Sequence, residues 1–455
     1  MRLLLSCLFL AVTVNAAGES PPKAVRNGPI YKVTPVLAIA SSSASGSTPM
    51  DSFDYDAPDR AWHAERFAPQ WIQVDLGSLR VVSEVRLPVL QDFRGESRHQ
   101  ILAGADPGSL RVVGSFAGPT ENGQVIAIAI PEPEQRAVRY VRIETSASPS
   151  RVAWGKIEIH ARATSVPKWF GYYGDLFSWL TDSQSEVADH VNISWVGTGL
   201  ADVATLPARI RAAGERGLRV ALAVPQDLFF TGGMKLRSDY RSRWKSLAAD
   251  IAPLIGNVAM ILPVDEPYSQ AKIQGVSASA MKTRLEAIGS LIKGSFPGVP
   301  IAFTLSSIDF DTQQSAFADL GNPIPAQFDW IGFDCYGSWG DCGEPSFRAV
   351  HSIPWYFDRI EGKLARHQKI FLFADGFLRA TEPADADRDA AQAAQRVNRA
   401  DQFLALALSE PRIVGLFVFL YQDDYVEESR RFLGVRHWPA LQQKFRGIGR
   451  MITGK

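Results

Sequence analysis

The chain has 455 residues, which is above the length at which a single hydrophobic core stops growing, so we expect two folded domains. Hydrophobic residues make up 46% of the chain and charged residues 21%, a globular balance that excludes an intrinsically disordered protein. The 48 Lys and Arg residues balance 48 Asp and Glu residues, which excludes nucleic acid or an anionic membrane surface as the main partner.

The first residues have the pattern of a secretory signal peptide. Arg2 forms a short positive region, residues 3–14 form an apolar region, and Val14-Asn15-Ala16 is a small-residue cleavage site. We predict a signal peptide over residues 1–17 and a flexible lead-in over residues 18–30. Because no later stretch has the ~20 apolar residues that a membrane span requires, we expect the mature protein to be secreted or periplasmic. We also expect it to be a monomer.

Cleavage of this peptide would remove Cys7 and leave two cysteines, Cys335 and Cys342, seven positions apart. In an oxidising compartment such a pair predicts a disulfide that closes a loop. Two unpaired core cysteines are the alternative. A metal site is disfavoured because no Cys or His pair with ligand spacing accompanies them.

Residues 31–162 alternate between apolar and polar side chains in short runs broken by turns. The runs are 71–75, 82–87, 125–130, 140–144 and 156–160. A period of two without a long amphipathic helix predicts an antiparallel β-sandwich domain.

Four stretches of this segment resemble the discoidin (coagulation-factor type C) family of galactose-binding-like β-sandwiches. They are Phe53–Trp62, Gln70–Gly77, Val138–Ile143 and Trp154–Ile159, in that order along the chain. The resemblance implies a jelly-roll binding module, often for carbohydrate, with a structural calcium near the first stretch. That stretch departs from the family's usual Asp-Gly and reads Asp56-Ala57-Pro58-Asp59 here, so Asp56 and Asp59 are the candidate oxygen ligands.

From residue 165 onward, short apolar runs alternate with amphipathic segments. The runs are Trp169–Asp175, Asn192–Gly197, Arg219–Gln226, Val258–Glu266, Pro300–Ser306, Phe328–Tyr336, Lys369–Asp375 and Ile413–Gln422. Eight such β/α units within residues 165–450 predict one closed (β/α)₈ barrel, whose typical size is ~250 residues. An open doubly wound sheet is the alternative, and it is disfavoured because no Gly-x-Gly-x-x-Gly follows the first strand.

The fourth run ends in Leu262-Pro-Val-Asp-Glu-Pro-Tyr268, at the strand end where a barrel carries its catalytic groups. A Glu before Pro at this place resembles the many barrel glycosidases that carry their acid at the end of strand four. The resemblance implies that Glu266 is the proton donor of a glycoside hydrolase. The alternative is a salt-bridged carboxylate at the rim.

Glycoside cleavage needs a second carboxylate, which attacks the anomeric carbon or activates water. The barrel hydrolases that the chain resembles usually supply it from strand seven, which here ends in Asp375 rather than Glu. Asp334, which lies on one side of strand six with Tyr336, is the competing candidate. Carboxyl separations of ~5 Å and ~6.5–9.5 Å distinguish the retaining from the inverting reaction, and the sequence leaves this choice open.

The adjacent acids Asp265 and Glu266, combined with the Asp334 and Tyr336 pairing, are similar to hydrolases that use the substrate's own acetamido group as the nucleophile. That resemblance implies that Asp265 orients the acetamide, Glu266 is the acid and Tyr336 assists. The substrate would then be a glycan of N-acetylhexosamine.

Further aromatic and polar residues near the predicted strand ends are candidates for sugar binding, since apolar sugar faces stack on aromatic rings. They are Tyr173, Asp175, Trp195, Gln226, Trp339, Tyr421 and Gln422. The seven His residues are scattered and no Gly-x-Ser-x-Gly is present, so we expect no catalytic cofactor and no serine nucleophile.

Two hypotheses remain. The first is an exported glycoside hydrolase acting on a polysaccharide or oligosaccharide through Glu266 with Asp375 or Asp334, and with the β-sandwich as a carbohydrate-binding module. The second is a barrel without activity that serves as a carbohydrate-binding or adhesion protein. The absence of a Glu on strand seven supports the second hypothesis.

Overall fold

The computed structural model describes residues 23–25, 28–55, 57, 59–173, 183–197, 203–379, 386–422, 425–427 and 430–455. The predicted signal peptide and the candidate residues Asp56 and Asp175 lie outside the described residues. Within these ranges, every helix is too short or too polar to cross a bilayer.

The N-terminal region is built from antiparallel strands. They are β1 (Ile30–Val33), β2 (Leu37–Ala40), β3 (Trp62–His63), β4 (Gln70–Pro88), β5 (Gly95–Gly104), β6 (Arg111–Thr120), β7 (Val125–Ala129), β8 (Ala137–Ala147), β9 (Ala153–Trp154) and β10 (Glu158–Arg162). Hydrogen bonds join them in the order β1-β10-β4-β8-β5-β6, with β2 and β7 also paired to β4, and β3 paired to β9. The pairs are antiparallel, which confirms the predicted strand pattern of this region.

Strand β4 changes partners along its length. Its first residues pair with β2 and β8, and its last residues pair with β7 and β10. The register with β8 shifts between Asp75 and Arg80, where Gly77 has a φ of 81°, a conformation that suits Gly because it has no Cβ. Inward positions such as Ile72 and Val141 are fully buried, so the alternating pattern of the sequence matches the buried face.

The C-terminal region alternates strands with helices. Its strands are β11 (Trp169–Tyr172), β12 (Ile193–Gly197), β13 (Arg219–Ala223), β14 (Phe230–Thr231), β15 (Lys235–Leu236), β16 (Val258–Leu262), β17 (Ala302–Ser306), β18 (Trp330–Asp334), β19 (Cys342–Glu344), β20 (Ala349–His351), β21 (Lys369–Asp375), β22 (Leu378–Arg379), β23 (Ile413–Phe419), β24 (Tyr425–Glu427) and β25 (Arg430–Leu433). Its helices are α1 (Gln184–Val187), α2 (Leu206–Glu215), α3 (Tyr240–Ile251), α4 (Pro267–Ile273), α5 (Ala278–Ser295), α6 (Ala316–Leu320), α7 (Ile353–Glu361), α8 (Ala386–Ser409) and α9 (Pro439–Thr453).

The eight predicted β-runs are all strands in the described part of the chain, and they pair in parallel. They form two sheets, β12-β13-β16 and β17-β18-β21-β23-β11. A parallel bridge between Ile261 and Ile301 connects the two sheets on one side. On the other side, the N–H of Asn192 donates to the carbonyl of Phe170 at 3.1 Å. Neighbouring strands therefore follow one another in chain order, as the prediction of consecutive β/α units requires.

The parallel strands carry an apolar cluster that is separate from the main core. Its buried members are Trp169, Ile193, Trp195, Ala221, Ala223, Ala259, Met260, Leu262, Ala302, Phe371, Phe373 and Phe417. On β18 the residue in register with Phe371 is Gly332, where a Cβ would lie 2.5 Å from the Phe371 ring. Alternate residues such as Ile370 and Leu372 belong instead to the core that includes the helices. Both faces of these strands are thus buried, which explains their nearly continuous apolar sequence.

Helix α8 joins the two regions of the molecule. Arg80 Nη1 forms an ion pair with Glu410 Oε1 at 3.1 Å, just beyond the end of α8. Asn398 Nδ2 on the same helix donates to the carbonyl of Tyr55 at 3.2 Å. The N-terminal region therefore packs on a defined helix of the C-terminal region.

A substitution at Gly171 tests the contact between β11 and β12. A Cβ at Gly171 would lie 2.2 Å from the carbonyl oxygen of Ile193, and the obstacle is backbone. We expect Gly171→Ala to lower the free energy of unfolding by about 1–3 kcal/mol because the strands must separate. Gly294→Ala is the matched control: nothing lies within 4 Å of the added Cβ on α5, and we expect a gain of about 0.5–1 kcal/mol. Urea unfolding followed by circular dichroism measures both, and equal stability of the two variants would contradict the strand contact.

Candidate active site

Two acidic strand ends meet at the carboxyl edge of the parallel strands. Asp265 and Glu266 follow β16 and directly precede α4, and Asp334 is the last residue of β18. Ser306 ends the intervening strand β17 and lies in register with Asp334. Because parallel strands place their carboxyl ends at one edge, these side chains lie close together.

Glu266 has a left-handed backbone conformation, with φ 39° and ψ 51°. The next residue, Pro267, is the first residue of α4, where a missing N–H costs nothing because it would have no helical partner. A non-Gly residue in this conformation costs roughly 1–2 kcal/mol, and such strain concentrates at functional sites. The turn therefore places the half-buried Glu266 at the strand end at a cost to stability.

The carboxyls of Glu266 and Asp334 share a hydrogen bond. Ionised carboxylates only accept hydrogen bonds, so one member of the pair must carry a proton. Burial raises the pKa of Asp334 well above its usual range, and the nearby charges of Glu266 and Asp265 raise it further. The pair thus retains a proton at a pH where exposed carboxyls are ionised.

Tyr336 completes the cluster. Its Oη donates to Asp334 Oδ2 at 3.4 Å. Burial raises the pKa of Tyr336 well above its usual range, as do the charges of Asp334 and Glu266. Its ring stacks on Phe419, with 5.3 Å between centroids, and meets Phe377 edge-on. The hydroxyl is therefore protonated and held beside the carboxyl pair.

Asp265 directly precedes Glu266 in the chain. Burial raises the pKa of the Asp265 carboxyl, while the Thr304 hydroxyl and the backbone N–H of Glu266 lower it. Its carbonyl accepts a hydrogen bond from Gln270 Nε2 at 2.7 Å, and Gln270 Oε1 accepts one from Gln226 Nε2 at 2.8 Å. The structure thus brings Gln226, a predicted ligand-binding residue, beside the loop that carries the two acids.

Asp375, the predicted second carboxylate on β21, is held by two arginines of α8. Its Oδ2 lies 2.9 Å from Arg399 Nη1, and its Oδ1 lies 3.5 Å from Arg396 Nε. The side chain is 1% exposed. Its charge also raises the pKa of Tyr336, so it is near the cluster. The two guanidiniums therefore balance the charge of Asp375.

Sequence reasoning missed a buried network that holds α4 next to β17. Ser269 Oγ donates to Asp309 Oδ1 at 2.9 Å and lies 2.6 Å from Ser306 Oγ. The N–H of Ser306 donates to Asp309 Oδ2 at 2.9 Å. Because Ser269 follows Glu266 on α4 and Ser306 neighbours Asp334, the network fixes the two acids relative to each other. The signal in the sequence is Ser306-Ser-Ile-Asp309, which has the spacing of a capping box.

Two predicted aromatic ligands pack into the apolar cluster of the strands. Trp195 is 3% exposed and meets the rings of Phe373 and Phe417 edge-on. Tyr173 is half-buried and tilts against Trp195 and Phe419. In this arrangement Trp195 presents no ring face to a ligand.

Two further predicted ligand-binding residues, Tyr421 and Gln422, contact the segment around α1. Tyr421 Oη donates to Glu186 Oε2 at 2.9 Å, and Gln422 Nε2 donates to Ser183 Oγ at 2.9 Å. Both side chains are buried. Their contacts give them a role in packing whether or not a ligand binds nearby.

The predicted disulfide between Cys335 and Cys342 is confirmed, with an S–S distance of 2.04 Å. It closes the loop that follows Asp334. Trp339 within this loop meets Phe403 edge-on and lines a cavity of about 720 Å³, to which Tyr55 of the N-terminal region also contributes. The structure thus places Trp339 on a crevice between the two regions.

Of the two candidate calcium ligands, Asp59 is exposed and Asp56 lies outside the described residues. Among the side chains that the structure describes, no group of three or more His, Cys, Asp and Glu residues is arranged to hold a metal ion. The calcium remains a prediction from the family resemblance.

No protein-family model and no curated protein matches the chain. Among solved structures, the N-terminal region is similar to the CBM32 of AlyQ in complex with 4,5-unsaturated mannuronic acid, at 25% identity over 28% of this chain and 96% of that chain, with a TM-score of 0.24. It is also similar to the family 32 CBM of C. perfringens NanJ in complex with galactose, at 15% identity over 29% of this chain and 99% of that chain, with a TM-score of 0.25. Xylanase10C from Cellvibrio japonicus in complex with xylopentaose is similar over 95% of this chain and 99% of that chain, at 14% identity and a TM-score of 0.37. These TM-scores are too low to establish a shared fold.

Asp309 makes stability depend on pH. Burial raises the pKa of its carboxyl from 3.8 to about 7, so the folded state binds this proton more tightly than the unfolded state between these two values. The stabilisation from that proton is complete below pH ~4 and is lost as pH rises through ~7. We expect the wild type to lose roughly 2–4 kcal/mol relative to Asp309→Asn between pH 4 and pH 7.5. Urea unfolding of both proteins across this range tests the prediction, and a difference in stability that does not change with pH would contradict it.

Proposed function

We propose that the chain is an exported glycoside hydrolase that cleaves a poly- or oligosaccharide, with Glu266 as its acid. The observation that carries this proposal is the hydrogen-bonded carboxyl pair of Glu266 and Asp334, with Tyr336 and Asp265 beside it at the carboxyl ends of parallel strands. Hydrolysis of a glycoside requires a group that remains protonated until it meets the leaving oxygen. A buried carboxyl pair that shares a proton meets this requirement.

We further propose that the eight parallel strands close into a (β/α)₈ barrel and that the N-terminal strands form a β-sandwich that binds carbohydrate. The bridge from Ile261 to Ile301 and the hydrogen bond from Asn192 to Phe170 support closure, because they join the two sheets on both sides. The separate apolar cluster on alternate strand positions fits the layered interior of such a barrel.

The contacts favour a reaction that uses the substrate's own acetamido group. Glu266 and Asp334 are in hydrogen-bond contact with each other, whereas a proton donor and a separate nucleophile or base flank the scissile bond from different sides. Asp375 is neutralised by two arginines. Neither carboxylate is therefore placed as a separate nucleophile, and a substrate of N-acetylhexosamine would bring its own.

In this mechanism, Glu266 passes the shared proton to the glycosidic oxygen while the acetamido carbonyl oxygen forms a bond to C1 and the C1–O bond to the leaving sugar breaks. Asp265 accepts a hydrogen bond from the acetamido N–H, and the Tyr336 hydroxyl donates to the acetamido carbonyl oxygen. Water then forms a bond to C1 while the bond from C1 to the acetamido oxygen breaks, and one proton of that water returns to the carboxyl pair. The product is the free N-acetylated sugar.

Glu266→Gln tests the acid. Gln keeps the shape and the hydrogen-bonding capacity of the side chain but has no proton to transfer, so we expect kcat on aryl glycosides to fall about 10²–10⁴-fold. Glu215→Gln, a change of the same type on the exposed side of α2, is the matched control and should leave kcat unchanged. Circular dichroism establishes that both variants fold. Full turnover by Glu266→Gln would refute the assignment.

A panel of substrates tests whether the substrate's acetamido group is the nucleophile. We expect hydrolysis of 4-nitrophenyl N-acetylhexosaminides and no hydrolysis of the matching hexosides or xylosides, because only the former carry an internal nucleophile. Asp265→Asn should reduce kcat at least 10-fold on the N-acetylated substrate. Turnover of xylosides or hexosides would instead support Asp334 or Asp375 as the second carboxylate. Binding without turnover on every glycan tested would support the adhesion hypothesis.

A further inference from the structure

The amino group of Lys156 lies against the loop to which the family resemblance assigns a structural calcium. Lys156 Nζ donates to the backbone carbonyl of Asp51 at 2.6 Å and to the backbone carbonyl of Arg60 at 2.6 Å. These carbonyls stand at the two ends of the loop that precedes β3. One side chain therefore bridges the loop across both of its ends.

Three acidic residues of this segment act electrostatically on the amino group. Burial lowers the pKa of Lys156, and the charges of Asp54, Asp51 and Asp59 offset part of that lowering. A cation in contact with backbone carbonyls and near several carboxylates is the environment that a calcium ion usually has in proteins. In this chain the cation in that environment is the ammonium group of Lys156.

A calcium ion does not fit beside this lysine. Ca²⁺ takes six to eight oxygen ligands at about 2.3–2.6 Å, and backbone carbonyls are common among them. The carbonyls of Asp51 and Arg60 are already engaged by the amino group, and a divalent ion in contact with them would also face its positive charge. The described residues offer no cluster of three acidic side chains to compensate.

The same loop is tied to residues 154–157 by three further contacts. Ser52 Oγ donates to the carbonyl of Trp154 at 2.9 Å, the N–H of Ile157 donates to the carbonyl of Ser52 at 2.9 Å, and Tyr55 Oη donates to the carbonyl of Ile157. These bonds join segments about 100 positions apart in the sequence. The lysine is therefore part of a set of contacts that connects the loop before β3 to the last strands of the N-terminal region.

We infer that the ammonium of Lys156 takes the structural place of a calcium ion in the N-terminal region, so that this region folds and functions without a metal. The inference stands apart from the proposed hydrolase activity. Together with the proposed carbohydrate-binding role of this region, it predicts that chelators leave carbohydrate binding unchanged.

Thermal unfolding in calcium and in chelator tests the inference. We expect the wild type to unfold within about 1 °C in 5 mM CaCl₂ and in 5 mM EDTA, since a ligand that does not bind the folded state cannot shift Tm. Elemental analysis after dialysis against CaCl₂ should find less than about 0.1 calcium per chain, in keeping with no gain in Tm. A rise in wild-type Tm with calcium, together with about one bound calcium per chain, would overturn the inference.

Variants of Lys156 are the second test of the inference. Lys156→Met keeps the aliphatic stem but removes the donor, so we expect Tm to fall by about 5 °C or more in either medium. Lys32→Met is the matched control, because Lys32 lies over the Tyr55 ring of the same loop at 3.7 Å and should contribute less. A Lys156→Met protein with the wild-type Tm in EDTA would overturn the inference. Should that variant not fold, Lys156→Arg, which keeps a cationic donor, is expected to fold without calcium, and a calcium requirement there would overturn the inference.

Discussion

The hydrogen bond between the carboxyls of Glu266 and Asp334 is the interaction on which the proposed chemistry depends. Two acids in contact inside a desolvated site cannot both ionise at low cost, so together they keep one proton. The contact requires that strands β16 and β18 end at the same edge, with β17 between them, and that the chain turns sharply into α4. The fold thus retains a proton at this edge by bringing together groups that repel each other when both are charged.

Two features around this pair lower the free energy of unfolding, and favourable contacts elsewhere in the molecule offset them. The left-handed backbone at Glu266 and the buried carboxyl of Asp309 are both unfavourable in isolation. The hydrogen bonds from Ser269 and Ser306 to Asp309 offset part of that cost and at the same time tie α4 to β17. The position of the acid is therefore maintained by a polar network outside the cluster itself.

Charges that folding buries are neutralised by side chains of the same chain. Arg399 pairs with Asp375 at the end of β21, and Arg80 pairs with Glu410 between the two regions. Lys156 provides the positive charge at the loop that precedes β3. Removing a charge from water is costly unless a partner is close, so each of these pairs constrains the packing around it. The same rule applies at both sites: two guanidiniums balance the charge of Asp375, and the ammonium of Lys156 contacts the carbonyls of Asp51 and Arg60.

The sequence by itself determined the succession of strands and helices, the disulfide and the polar strand ends, because periodicity and strand-end position are local properties of the chain. Glu266, Asp334 and Tyr336 were candidates for that reason, and the structure brings them together. Only the tertiary structure decided what each polar group contacts. Strand position alone could not show that Asp375 is paired with arginines from α8 or that Lys156 reaches a loop about 100 positions earlier, because those contacts join segments that are distant in sequence.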